Sequence, residues 1–182
     1  MRKELICHAD TPARAVRSVA VEVELSFEDG FALRFVVDGE VGGIVLPPGE
    51  GELVIADSGT EGLWQSSCFE AFLTEEGQPD YTEFNYAPDG RWACYQFDDY
   101  RSLLRADQLA PWRMEVERDP GRYAFHVEPG IFPDTGSRLA LAAVIEEIDG
   151  TKSYWALYHP PGKPDFHHPD CFALTLGAPD AA

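Results

Sequence analysis

Basic residues are scarce in this sequence. Fourteen lysines and arginines stand against 32 aspartates and glutamates, a formal net charge of −18. Such a surface repels phosphate backbones and anionic bilayers, which argues against nucleic acid and against a membrane as partners. The deficit is spread along the chain with no acidic tail, as on a solvated surface. No apolar run approaches the ~18 residues that a membrane helix needs. Met1, Arg2 and Lys3 have the charge of a signal-peptide start, but Leu5-Ile6-Cys7 gives way at once to His8 and Asp10. No leader is therefore expected. The four cysteines (Cys7, Cys68, Cys94, Cys171) form no CxxC pair. With the missing leader, their spacing points to reduced thiols and a cytoplasmic location. Helical periodicity is nearly absent, and only 99–109 and 11–17 look weakly helical. There is no GxSxG, no P-loop, no HExxH and no GxGxxG before a helix, which removes the enzyme classes built on them.

What is abundant is apolar and aromatic: 45% of the 182 residues are hydrophobic and 12% aromatic, enough for a substantial core. They alternate with period two. Val19, Val21, Val23 and Leu25 share one phase, with Glu22 and Glu24 on the other. Phe31, Leu33, Phe35 and Val37 repeat it after a Glu28-Asp29-Gly30 turn. Trp112, Met114 and Val116 are followed, across Asp119-Pro120-Gly121, by Tyr123, Phe125 and Val127. Leu139, Leu141, Ala143 and Ile145 precede Asp149-Gly150, with Trp155 and Leu157 beyond. Phe172, Leu174 and Leu176 close the pattern. Alternation bounded by such turns predicts antiparallel strands. The expectation is an all-β antiparallel sandwich of roughly nine to eleven strands, one domain over 1–182 with its ordered core near 5–177.

The densest segment runs from Leu63 to Arg101. Glu70 shares a phase with Cys68 and Phe72, so a lone carboxyl interrupts an apolar row. Tyr81, Glu83 and Asn85 share a face, and Arg91, Ala93 and Tyr95 another. Rings stack on the apolar faces of pyranoses while planar polar groups fix hydroxyls, so neighbouring strands would make a sugar-binding surface. The plainer reading pairs Glu70 or Glu83 with Arg91 or Arg101 and buries the rings as core. A charge within an apolar row needs a partner or a task. The two glutamates together are also the minimum for glycosidase chemistry.

Leu63-Trp64, the run from Cys68 to Phe72, Tyr81, Glu83-Phe84-Asn85, Pro88, Gly90 and Trp92 resemble the DOMON-like family. These are bacterial proteins related to family 9 carbohydrate-binding modules. Leu5-Ile6-Cys7-His8 and the ending from Phe166 to Phe172 fit the same pattern, so the resemblance spans nearly the whole chain. It implies a jelly-roll-type β-sandwich. In the sugar-binding modules two tryptophans clamp a terminal sugar while a glutamate and an arginine bond its hydroxyls. By this resemblance Trp64 is the first tryptophan, Glu70 the glutamate and Arg91 the arginine. The place of the second tryptophan holds Asp165, Phe166, His167 and His168, where Phe166 or a histidine would stack instead, and Asn85 would complete the wall. Haem, held in some relatives by methionine and histidine, is not expected, because Met114 has the phase of a core residue.

His159, His167 and His168 fall close to Asp165 and Asp170, residue types that suit zinc. Their spacing matches no established ligand pattern, and adjacent histidines on an extended strand point opposite ways. Prolines 160, 161, 164 and 169 mark the segment as a rigid loop, whose other role would be to cap the sandwich. The sequence thus points to a non-catalytic module for a small polyhydroxylated ligand, a saccharide or cell-wall precursor, with no cofactor. The alternatives are a protein-interaction domain without a small-molecule site and, third, a metal-dependent protein.

Overall fold

The computed structural model describes residues 1–26 and 30–177. Its strands in chain order are β1 (Arg2–Cys7), β2 (Val16–Ser26), β3 (Gly30–Gly39), β4 (Gly51–Glu52), β5 (Cys68–Thr74), β6 (Tyr81–Tyr86), β7 (Trp92–Asp99), β8 (Ser102–Asp107), β9 (Arg113–Asp119), β10 (Arg122–Glu128), β11 (Arg138–Glu146), β12 (Lys152–Ala156) and β13 (Leu174–Thr175). Short 3-10 turns lie at Val41–Gly43, Leu63–Gln65 and Pro169–Cys171, and the described residues form no α-helix.

All the pairings are antiparallel, in the order β4-β9-β10-β3-β2-β1-β12-β11-β5-β6-β7-β8 with β13 on β11. β1 turns the corner of this path. Arg2 and Leu5 face Glu22 and Val19 of β2, whereas Ile6 and Cys7 face Ala156 and Trp155 of β12. The strands on either side of β1 form two layers. Val19, Leu33, Phe35, Met114, Phe125 and Val127 of one layer meet Phe69, Tyr86, Trp92, Leu141 and Ile145 of the other in one core. Phe69 is its centre, stacked on Phe125 at 4.8 Å and tilted against Phe35 at 5.0 Å. Each such buried ring contributes about 2–3 kcal/mol by leaving water.

The outer faces of the layers differ. On the β2/β3/β9/β10 layer, Arg34 bridges Glu22 and Glu117 over buried Ala32, Val36 and Ala124, a solvated face of ion pairs. The outer face of the other layer is apolar. Cys68, Phe72, Tyr81, Ala93, Tyr95, Phe97, Ala140, Ala142 and Val144 form a second cluster there, covered by Phe166, Cys171 and Phe172 from the C-terminal segment.

The all-β antiparallel expectation and its alternating phases hold, and the structure corrects details. Ser102–Asp107, expected to be weakly helical, is the edge strand β8. Its side chains are almost all exposed, so burial imposed no alternation on them. The stretch 11–17 is irregular until β2 begins. The thirteen strands among the described residues exceed the expected number because the two-residue β4 and β13 are too short to show a period. Trp112 precedes β9 and lies half-exposed against Phe132 at 5.4 Å, not in the core with Met114 and Val116. Glu28 and Asp29 of the expected turn lie outside the described residues. The four cysteines are all free.

Candidate functional site

The apolar outer face is not wholly covered. A cleft of about 380 Å³ opens on it, lined by Glu70 (β5), Glu83 (β6), Tyr95 and Phe97 (β7), Val144 (β11) and Tyr154 (β12). Trp64, Arg101, Leu103, Pro164, Phe166 and His167 form its rim and walls. Its volume is that of a small-molecule site. The register explains the floor. Glu70 lies opposite Asn85, and Glu83 lies opposite Phe72 and Tyr95, so both glutamates point outward from adjacent strands as diagonal neighbours. The small Ala142 opposite Glu70 leaves the space above it open.

Glu70 is only 3% exposed, and its Oε1 has no hydrogen-bond partner. Loss of solvent, reinforced by the neighbouring Glu83, holds its carboxyl well above the usual range and favours the protonated form. Glu83 is also buried, and its Oε1 accepts from Asn85 Nδ2 at 2.7 Å. Burial pushes Glu83 up to about 7, opposed by the Asn85 bond and the Arg101 charge. Neither glutamate forms an ion pair with Arg91 or Arg101 among the described residues, so the plainer expectation of a structural salt bridge fails. The nearest basic side chain to Glu83 is His167, whose Nε2 is 3.7 Å from Oε2, too far for a hydrogen bond.

A connected set of polar groups fixes the wall. Tyr81 OH bonds His167 Nδ1 at 2.8 Å and accepts from the Arg101 backbone N–H at 3.1 Å. With Tyr81 donating to Nδ1, the proton of His167 sits on Nε2 and faces Glu83. Burial, then the Arg101 charge, lowers His167 to about 4, so the ring is neutral near pH 7. Asp165 accepts from Tyr100 OH at 2.6 Å, Arg101 at 2.7 Å and the His167 backbone N–H at 3.2 Å. Arg101 has φ 54°, alone among the described non-glycine residues in being left-handed. That conformation costs about 1 kcal/mol or more, and such strain gathers at sites that need it. Here it delivers the backbone N–H to Tyr81 and the guanidinium to Asp165. On the opposite rim, the 3-10 turn after Gly62 (φ 77°) presents Trp64, 45% exposed and edge-on to Tyr95 at 6.3 Å.

Of the residues singled out from sequence, Trp64, Glu70, Phe166 and His167 line the cleft together. Asn85 lies beside them on the same face of β6 as Glu83, fully buried, outside the lining and orienting Glu83. Arg91 stands outside the lining, bound to Asp89 of its own turn at 2.8 Å. His168 is also outside, accepting from Asp170 N at 3.2 Å. His159 Nε2 donates to Ile6 O at 2.8 Å, so the three histidines have separate partners. No three histidine, cysteine or carboxylate groups among the described residues are placed to hold a metal ion. The sequence reading missed Arg101, Tyr95, Phe97 and Tyr154 as lining residues. Tyr95 was findable, since it shares Glu83's face across the β6–β7 hairpin, whereas Tyr154 depends on long-range pairing.

No protein-family model and no curated protein matches the chain. The fold is similar to that of a putative carbohydrate-binding protein from Bacteroides uniformis, at a TM-score of 0.59 and 14% sequence identity. The likeness covers 93% of this chain and 83% of that one, and so extends through both layers of the sandwich and the strands beneath the cleft.

Proposed function

We propose that the cleft binds a small polyhydroxylated ligand, a saccharide or cell-wall precursor in class, and that the protein is a binding module of DOMON-like type. One observation carries this reading. An aromatic-walled cleft, lined by Trp64 and Phe166 among others, has a buried carboxyl with an unpartnered oxygen on its floor. Rings supply the stacking surface for a pyranose, and Glu70, Glu83 and His167 supply planar groups for its hydroxyls. The fold shared with a putative carbohydrate-binding protein supports the same class of ligand.

The test is a thermal-shift screen of mono- and disaccharides followed by calorimetry on those that raise Tm. Ligand binding to the native state raises Tm by mass action. Trp64→Ala is expected to weaken saccharide binding about tenfold or more, the loss of one stacked ring, with little change in Tm because Trp64 is half-exposed. A wild-type protein that no saccharide shifts would sink the proposal and favour the protein-interaction reading.

A further inference from the structure

The floor of the cleft has two carboxyls and no cation to answer them. Arg101 is committed to Asp165 and Arg91 to Asp89. Lys152 lies with Gln65 O and Glu146, away from the floor. The other titratable groups facing the cleft or packed beneath it are Cys68 from β5, Tyr81 from β6, Tyr95 from β7, Tyr154 from β12 and His167 from the loop. Among the described residues, no cation at neutral pH forms an ion pair with either glutamate, and the Arg101 charge reaches Glu83 only from beyond bonding distance. Two acceptors lack a hydrogen-bond partner among the described residues, the buried Glu70 Oε1 and Glu83 Oε2, which lies beyond bonding distance of His167.

Resting on the saccharide reading above, we infer that the ligand carries a protonated amine, as an amino sugar does, seated between Glu70 and Glu83 with the Trp64 and Tyr95 rings beside it. An ammonium brings three donors and a positive charge that can replace the protons the buried carboxyls hold, whereas a neutral hydroxyl brings one donor and no charge. Aromatic faces next to the carboxyls add attraction for a cation that they do not offer a neutral group. The net charge of −18 acts in the same direction at longer range, drawing cations towards the cleft and repelling uronic acids and sugar phosphates.

The experiment is calorimetric titration of the full chain near neutral pH with glucosamine, galactosamine and mannosamine. Each is compared with its parent hexose, its N-acetyl derivative and, for glucose, glucuronic acid. At least one hexosamine is expected to bind about tenfold or more tightly than its parent hexose. N-acetylation, which removes the charge, should return affinity to that of the hexose, and glucuronic acid should bind worst. Binding heats that differ between buffers of different ionisation enthalpy should report protons leaving the glutamates as the amine enters. Glu70→Gln should lower hexosamine affinity more than hexose affinity and so abolish the preference, and Glu83→Gln serves the same purpose if that variant fails to fold. Equal binding of hexosamine and hexose would overturn the amine inference and leave the saccharide reading standing. Binding of none would overturn both.

Discussion

A carboxyl as buried as that of Glu70 stays in a folded protein either by keeping its proton or by finding a donor from outside. In the unliganded protein the proton does this work, and the consequence is a pH dependence whose sign is opposite to that of most acidic residues. The folded-state values of Glu70 and Glu83 are raised, so the folded state binds more protons than the unfolded chain above the ordinary glutamate range. The contribution of Glu83 to stability is fully present below about pH 4.5 and is lost as pH rises through about 7, and that of Glu70 is lost in the same direction. His167, lowered to about 4, acts at the other end, its contribution being lost as pH falls from about 6.5 towards 4. Urea unfolding at a series of pH values should therefore show Glu70→Gln more stable than wild type at pH 8, by about 1–3 kcal/mol, and close to it at pH 5. A variant less stable at both would show that Glu70 holds the fold together. At this scale Glu70 was readable in the sequence because Cys68 and Phe72 flank it in one phase. The arginine of the site was not. Arg91 has the right phase but folds onto Asp89 two residues away, whereas the position of Arg101 depends on Tyr81 and Asp165, distant in sequence.

The elements show the same division. Strands with one face in the core announced themselves by alternation, and their turns by glycine and aspartate. The turn between β6 and β7 is where this becomes a demand. Gly90 has φ 92°, and a Cβ there would lie 2.1 Å from Val54 O, a backbone atom that cannot swing aside. Gly90→Ala is expected to cost more than ~2 kcal/mol in chemical denaturation. Gly77→Ala, also at positive φ but with nothing within 4 Å, should cost only about 1 kcal/mol. Equal losses at the two positions would mean that the conformation and not the Val54 contact decides. β8 was invisible for the converse reason. It borders the cleft with exposed side chains, its pairing to β7 is broken by register shifts at Gln96 and Phe97, and only the hydrogen bonds of its neighbour make it a strand. The wall from Pro164 to His167 was readable as a rigid proline-rich loop, but its docking onto Tyr100 and Arg101 was not.

For the whole molecule, the two outer faces divide the labour: one is a solvated lattice of ion pairs, the other carries the cleft. The sequence showed neither the division nor the strand that joins the layers, because both arise from pairings across most of the chain. With β1 hydrogen-bonded to both layers and one core between them, the layers should melt together. Far-ultraviolet dichroism and tryptophan fluorescence are expected to give coincident thermal transitions, and separated midpoints would show layers that unfold independently. The same strand also bears on how the protein is made. Ile6 waits for Ala156, a partner that leaves the ribosome roughly 150 residues later. Until then one edge of β1 stands open to strands of other nascent chains, and the sandwich closes only after Ala156 has emerged.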